Sequence, residues 1–189
     1  MIVLQVYYYF TDLGRGYSMK KIWFASFSLA LVLALGACSG NSGQSGAKKP
    51  TKSSTKTALM NFYMNLTNHI NAQDRDLNTY EQAIAKADDK PPKAKLATMQ
   101  KEAQSSAENV VKEIKNTKIP SKLSSYQSEI KTAVKDLQQS YQMKADELKK
   151  SNPSLDAANK KLEQANDELG KVFKKAGLSP ASLPDDVNS

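Results

Sequence analysis

The chain has 189 residues, a formal net charge of +8 at pH 7 and a single cysteine. One cysteine excludes a fold that is held together by internal disulfides. Beyond the amino-terminal region the chain is rich in Ala, Lys, Gln, Glu, Leu and Ser, which favours helices over strands. The helical pattern covers about 120 residues, enough for one domain with a single modest core.

A short basic segment followed by an apolar run lies near the amino end. The segment is Met19-Lys20-Lys21, and the apolar run extends from Ile22 to Leu35. These are the n-region and the h-region of a secretory signal. The run is shorter than the roughly 20 apolar residues of a membrane-spanning helix. The sequence therefore predicts a signal peptide over residues 19–37.

The apolar run ends in Leu35-Gly36-Ala37-Cys38. This tetrapeptide resembles the lipobox of bacterial lipoproteins. The resemblance implies that a signal peptidase recognises Leu35, Gly36 and Ala37, that it cleaves before Cys38, and that diacylglycerol is attached to the Cys38 thiol. Two acyl chains give durable anchoring, whereas a single chain binds membranes only marginally. We therefore expect a protein that is lipid-anchored on the extracytoplasmic face of the cell membrane.

An alternative is an uncleaved amino-terminal anchor helix with an incidental cysteine. The body would face outward in both cases, because Lys20 and Lys21 stay on the cytoplasmic side. The leader, a Ser/Gly/Lys-rich tether and a Lys/Gln-rich helical body together resemble small surface lipoproteins of Gram-positive bacteria, particularly bacilli.

Residues 1–18 precede a leader that is already complete. We hypothesise that translation starts at Met19 and that residues 1–18 are an upstream extension; a longer natural leader is the alternative. Residues 38–56 follow the leader and are rich in Ser, Gly and Lys, which predicts a flexible tether behind the lipidated cysteine. Its lysines (Lys48, Lys49, Lys52 and Lys56) either contact anionic headgroups or merely keep the tether soluble.

Four stretches carry apolar residues at alternating steps of three and four, which predicts amphipathic helices over residues 57–87, 93–116, 121–150 and 153–176. Proline separates them at Pro91-Pro92, Pro120 and Pro153. Helices with such short connections predict an all-α fold, an antiparallel up-down bundle of four long amphipathic helices over residues 57–176. An elongated three-helix arrangement is the alternative. Residues 177–189 are expected to form a mostly irregular tail.

The sequence carries little that points to catalysis. It has no Gly-rich phosphate loop, no GxSxG motif and no pair of histidines or cysteines at metal-ligand spacing. Lipidation would occupy Cys38, and His69, the one histidine, lies at the edge of an apolar stripe, where a flanking role in packing is expected. We therefore expect a protein that is not an enzyme, with no cofactor and no metal site. Nucleic acid is not an expected partner, since the body lies outside the cytoplasm.

Two functions remain open. The first is a non-enzymatic interaction or structural module of the cell envelope, anchored in the membrane through Cys38 and binding an envelope protein or an anionic wall polymer. Its mark would be an exposed apolar patch, for example around Met60, Phe62 and Met64. The second is a small-ligand- or ion-binding lipoprotein, which needs a cavity lined by polar groups such as Gln73 and the tyrosine hydroxyls.

Overall fold

The computed structural model describes residues 51–86 and 89–187. All regular secondary structure in these two ranges is helical, and no strand occurs there. This confirms the all-α prediction. In chain order the helices are α1 (Lys52–Asn71), α2 (Arg75–Ala85), α3 (Lys93–Asn116), α4 (Gln127–Glu147), α5 (Asp156–Ala176) and α6 (Leu183–Val187). A 3₁₀ segment, Ser121–Tyr126, leads into α4.

The first predicted helix, 57–87, is wrong in its continuity and in its start. The chain forms α1 and α2 instead, and α1 begins at Lys52, within the predicted tether, behind an N-cap in which the Thr51 side chain accepts from the Ser54 backbone N–H at 3.3 Å. The break follows from a polar contact. The Gln73 carbonyl accepts a hydrogen bond of 2.6 Å from the Ser106 hydroxyl of α3, and so serves a side chain instead of the helix ladder. Residue 87 lies outside the described residues.

The remaining predicted helices are found with shorter ends. Residues 93–116 coincide with α3. The predicted helix 121–150 starts as a 3₁₀ segment, because Leu123 has non-helical backbone angles (φ −100°, ψ 16°), and its α-helical part ends at Glu147. The helix predicted from residue 153 starts at Asp156. Pro153 precedes this start by three residues. It therefore lies in the connection between α4 and α5 and is not the first residue of α5.

Consecutive helices pack against each other, α2 on α3, α3 on α4 and α4 on α5. At one end of the body the Gln100 side chain, early in α3, donates to the carbonyls of Leu148 and Lys150 just beyond α4. At the other end Lys175, late in α5, pairs with Glu129, early in α4, at 2.9 Å. The helices α3 and α4 are therefore antiparallel to each other, and so are α4 and α5. Between the helices lies one core, which includes Leu59, Leu66, Ile70, Leu77, Ala107, Ile114, Ile130, Leu137, Leu162 and Leu169.

The carboxyl-terminal residues, expected to be mostly irregular, are irregular over 177–182 and then form the short helix α6, which packs on α1 and α5. Leu183 and Val187 lie four positions apart, on one face of this short helix, and both are fully buried. The amides of Asn71 and Asn78 donate to the carbonyls of Asp186 and Val187, at 2.8 and 3.0 Å. The last described turn of the chain therefore closes over the junction of α1 and α2.

Substitution by alanine should have opposite effects on stability at two glycines in the carboxyl-terminal half. Gly177 ends α5 at φ 70°, where an added Cβ would lie 3.2 Å from the Lys56 ammonium. We expect Gly177→Ala to lower the free energy of unfolding by about 1 kcal/mol. Gly170 lies inside α5, and a Cβ there would contact Pro180 at an ordinary 3.8 Å. Gly170→Ala should therefore raise stability by up to about 1 kcal/mol.

Urea unfolding of both variants beside the parent protein tests this pair. Two changes of equal sign would contradict the left-handed cap at Gly177.

Candidate functional site

The predicted lipidation and cleavage residues, Leu35, Gly36, Ala37 and Cys38, lie outside the described residues, and their roles stay predictions. Across the stretches that the structure describes, no helix combines the length and the apolar character needed to cross a membrane. Those same stretches contain no group of three or more His, Cys, Asp or Glu side chains arranged to hold a metal ion.

A groove of about 810 Å³ runs between α1, the end of α3 and the 3₁₀ segment. Its floor is apolar and includes Phe62 and Leu66, both of which are buried. Its walls are polar and carry Ser54, Thr57, Asn61, Asn65, His69, Asn116 and Thr117, with Glu113, Lys118 and Lys122 also in the lining. Amides and hydroxyls both donate and accept hydrogen bonds, so the groove can bind an extended polar chain over an apolar floor.

Two exposed methionines lie on the outer face of α1, next to the wall of the groove. Met60 is 38% and Met64 is 53% exposed, and they are four residues apart, on one face. Each lies three residues after a side chain of the groove wall, Thr57 and Asn61 respectively, and is therefore its neighbour on the helix surface. Methionine is flexible and polarizable, and it adapts to the shape of a bound partner.

The predicted apolar patch is therefore correct for Met60 and Met64 and wrong for Phe62. Phe62 is only 4% exposed, because it lies on the face of α1 that contributes to the core. His69, expected to flank a packing contact, is exposed and lines the groove.

Two of the tyrosine hydroxyls expected to line a ligand cavity are bonded within the protein. The Tyr63 hydroxyl donates to the Asp186 carboxylate, and its ring packs edge-on against Phe173 at 5.3 Å. The Tyr141 hydroxyl donates to Asp74 at 3.1 Å. Gln73 accepts from Ser106 through its backbone carbonyl, and Gln73 also lines a groove of about 720 Å³ between the α1–α2 junction and α3. The tyrosine contacts fix the helices against one another, and the ligand-binding alternative stays a prediction.

A buried polar cluster joins α2 to α4. Lys144 is 1% exposed, and its ammonium donates to the Glu81 carboxylate at 2.7 Å. The same ammonium lies 5.5 Å from the centre of the Tyr141 ring, a cation–π contact. Asp74, also 1% exposed, accepts from Tyr141 and so completes the cluster. Two carboxyl groups, one ammonium and one phenol therefore share a site in which Asp74, Tyr141 and Lys144 are buried and the Glu81 side chain is 21% exposed.

Burial raises the pKa of two members of this cluster, Asp74 and Tyr141. It raises the pKa of Asp74 to about 6, against the opposing effects of the Tyr141 hydrogen bond and the Lys144 charge. Burial also raises the pKa of the Tyr141 phenol well above its usual value, and the Asp74 carboxylate adds to the rise. Tyr141 therefore stays protonated as a hydrogen-bond donor at physiological pH. The Glu81 side chain also lines a groove of about 550 Å³ between α2 and the start of α5, whereas Asp74, Tyr141 and Lys144 are buried.

Comparisons with known proteins add no relative to this description. No protein-family model, no curated protein and no solved structure matches the chain.

Proposed function

We propose that this chain is a membrane-anchored extracytoplasmic lipoprotein, and that its helical body is a non-enzymatic interaction module of the cell envelope. The observation that carries the anchoring is the sequence Leu35-Gly36-Ala37-Cys38 at the end of a complete n-region and h-region. The Ser/Gly/Lys-rich segment behind it leads, within 13 residues, to the N-cap of α1 at Thr51.

The groove along α1 supports the interaction role. Polar walls, an apolar floor and two exposed methionines are the features of a surface that binds a polypeptide segment. A partner protein of the envelope is the occupant that we propose, since the groove offers several separate amides for hydrogen bonds to a peptide backbone. An anionic wall polymer is the alternative occupant.

We also propose that the body is an antiparallel four-helix bundle in which α1 and α2 together form the first of the four helices. The contacts of α2 and of α1 with α3 support this reading. Leu77 of α2 lies beside Ser106 in the middle of α3, whereas the α1 residues of the groove lie beside the end of α3. The helices α1 and α2 therefore contact successive parts of α3.

The interaction role is tested by crosslinking in cells of the native organism. A photo-reactive amino acid is placed at Asn61 or Asn65, both exposed in the groove, and for control at Gln164, exposed on α5. We expect one discrete adduct from the groove positions and none from position 164, with the adduct weakened by Met64→Lys. The same set of adducts from all three positions, or none from the groove, would contradict the proposal.

Anchoring is tested by Cys38→Ala. We expect this variant to take up no labelled fatty acid, because the chain has no other thiol for a thioether-linked lipid. The adjacent Ser39→Ala variant is the control and should stay labelled and membrane-bound. Labelling that persists without the Cys38 thiol would overturn the lipobox reading.

A further inference from the structure

Seven lysines that are scattered along the sequence meet at one end of the body, which we call the basal surface: Lys52, Lys56, Lys115, Lys118, Lys122, Lys174 and Lys175. Hydrogen bonds and a shared groove join its parts. The Lys56 ammonium, in α1, donates to the carbonyl of Gly177 beyond α5 at 2.8 Å. The start of α1 and Lys118 and Lys122 line one groove. Tyr126 donates to the carbonyl of Lys175 at 3.4 Å.

Six of these lysines are exposed, and Lys56 is half-buried. Two acidic residues, Glu113 and Glu129, lie among them, and Glu129 is paired with Lys175. The basal surface thus has an excess of five positive charges. Residues 51–187 as a whole contain 22 basic and 18 acidic residues, an excess of four. The positive charge of the body is therefore concentrated at this end, and the rest is close to neutral.

This is also the end at which the chain enters the body. α1 begins at Lys52, so the segment that comes from Cys38 joins the body on the basal surface. Thr51 is the thirteenth residue after Cys38, and even a fully extended chain of that length spans at most about 45 Å. If lipid is attached at Cys38, the basal surface is the face with the shortest path to the bilayer.

We propose that the basal surface docks electrostatically on the anionic headgroups of the membrane to which the chain is anchored. The proposal rests on the proposed function, because it takes the lipid on Cys38 as given. Lysines near an anionic membrane each strengthen binding about fivefold, and their effect falls off within about 10 Å in physiological salt. A tethered body whose lysines face the bilayer meets this condition, and a body whose neutral end faces the bilayer does not.

Docking fixes the orientation of the body. With the basal surface on the headgroups, α1 stands out from the membrane, and the groove along it opens sideways, from the bilayer toward His69. A second membrane-associated protein could then reach the groove from the side. Anionic wall polymer is the competing partner for the same charges.

The test uses the unlipidated mature chain, residues 38–189 with Cys38→Ala, whose unit Gly46–Ser189 contains the complete core. Co-sedimentation is measured with vesicles of phosphatidylglycerol and phosphatidylcholine, with vesicles of phosphatidylcholine alone, and with soluble polyphosphate as competitor. The basal variant replaces Lys118, Lys122 and Lys174 with glutamine. The control variant replaces Lys93, Lys95 and Lys101, which are equally exposed and lie early in α3, at the other end of the body.

We expect binding only to the anionic vesicles, with a loss of about 100-fold in the basal variant and less than threefold in the control. Circular dichroism of both variants confirms that they fold. Equal losses in the two variants, no binding to anionic vesicles, or binding to polyphosphate alone would each overturn the proposal. Because the test protein carries no lipid, its result does not depend on whether Cys38 is lipidated in cells, and the two failures can be told apart.

Discussion

Glu81→Gln is expected to lower the free energy of unfolding by about 3 kcal/mol. The substitution leaves the Lys144 ammonium, which is 1% exposed, without the carboxylate that it contacts at 2.7 Å. A buried charge that loses its partner cannot recover the lost interaction from water, and the folded state bears the cost. Urea unfolding at pH 7 measures the change.

Glu108→Gln is the matched control for this prediction. Glu108 pairs with Lys149 at 3.7 Å, but both side chains are more than 40% exposed, so its loss should change stability by less than about 0.5 kcal/mol. A double variant, Glu81→Gln with Lys144→Met, should recover much of the loss, because it removes the unpaired charge and keeps the volume of the side chain. Equal effects of Glu81→Gln and Glu108→Gln would show that the Lys144 pair behaves as a surface pair.

Asp74 predicts an unusual dependence of stability on pH. Its pKa is raised by burial from 3.8 to about 6 in the folded protein. Between these values the folded state binds more protons than the unfolded state, so the contribution of Asp74 to stability falls as pH rises from about 4 to about 6. At pH 7 the charged carboxylate therefore costs about 3 kcal/mol, and this cost disappears below pH 4.

We accordingly expect Asp74→Asn to be more stable than the parent at pH 7 and equally stable at pH 4, since the amide oxygen can still accept from Tyr141. The difference between the two unfolding curves isolates Asp74 from the exposed carboxylates, which titrate in both proteins. Asp76→Asn, with a side chain that is 50% exposed, is the control and should show no such difference. A loss of stability at pH 7 in Asp74→Asn would contradict the high pKa.

Periodicity was a sound guide wherever apolar residues formed an uninterrupted stripe. The spacing of Leu162, Leu169 and Val172 placed α5 in the core, and all three are buried. The proline breaks were likewise informative, because a proline removes a backbone donor whatever the tertiary packing. The apolar stripe and the proline breaks depend only on residues that are close in the sequence, so they can be predicted from the sequence alone.

The break between α1 and α2 depends on a distant residue. The Ser106 hydroxyl donates to the carbonyl of Gln73, which is 33 positions away in the sequence. The residues next to Gln73 do not indicate this contact. α6 was missed for a related reason. Its five residues gain stability from burying Leu183 and Val187 against α1 and α5, since a helix of that length is unstable alone.

The polar cluster did leave a signal in the sequence. Lys144 falls in register with Leu137, Tyr141 and Leu148, at steps of four, three and four, so the stripe itself places a lysine in the core. Asp74 stands in the same way between Ile70 and Leu77. A charged residue at a core position predicts a polar partner beside it. Here the partner of Lys144 is Glu81, and the partner of Asp74 is Tyr141. The basal surface left no comparable signal, because its lysines come from three stretches that are far apart in the sequence.

The central claim is that Cys38 is the lipidated first residue of the mature protein, and the mass of the amino-terminal peptide tests it most directly. The protein is purified from membranes of the native organism and digested with trypsin, and the peptide that ends at Lys48 is measured. We predict a peptide that begins at Cys38 and carries the mass of a diacylglyceryl group on its thiol. A peptide that begins upstream of Cys38, or one in which this thiol is unmodified, would contradict the account.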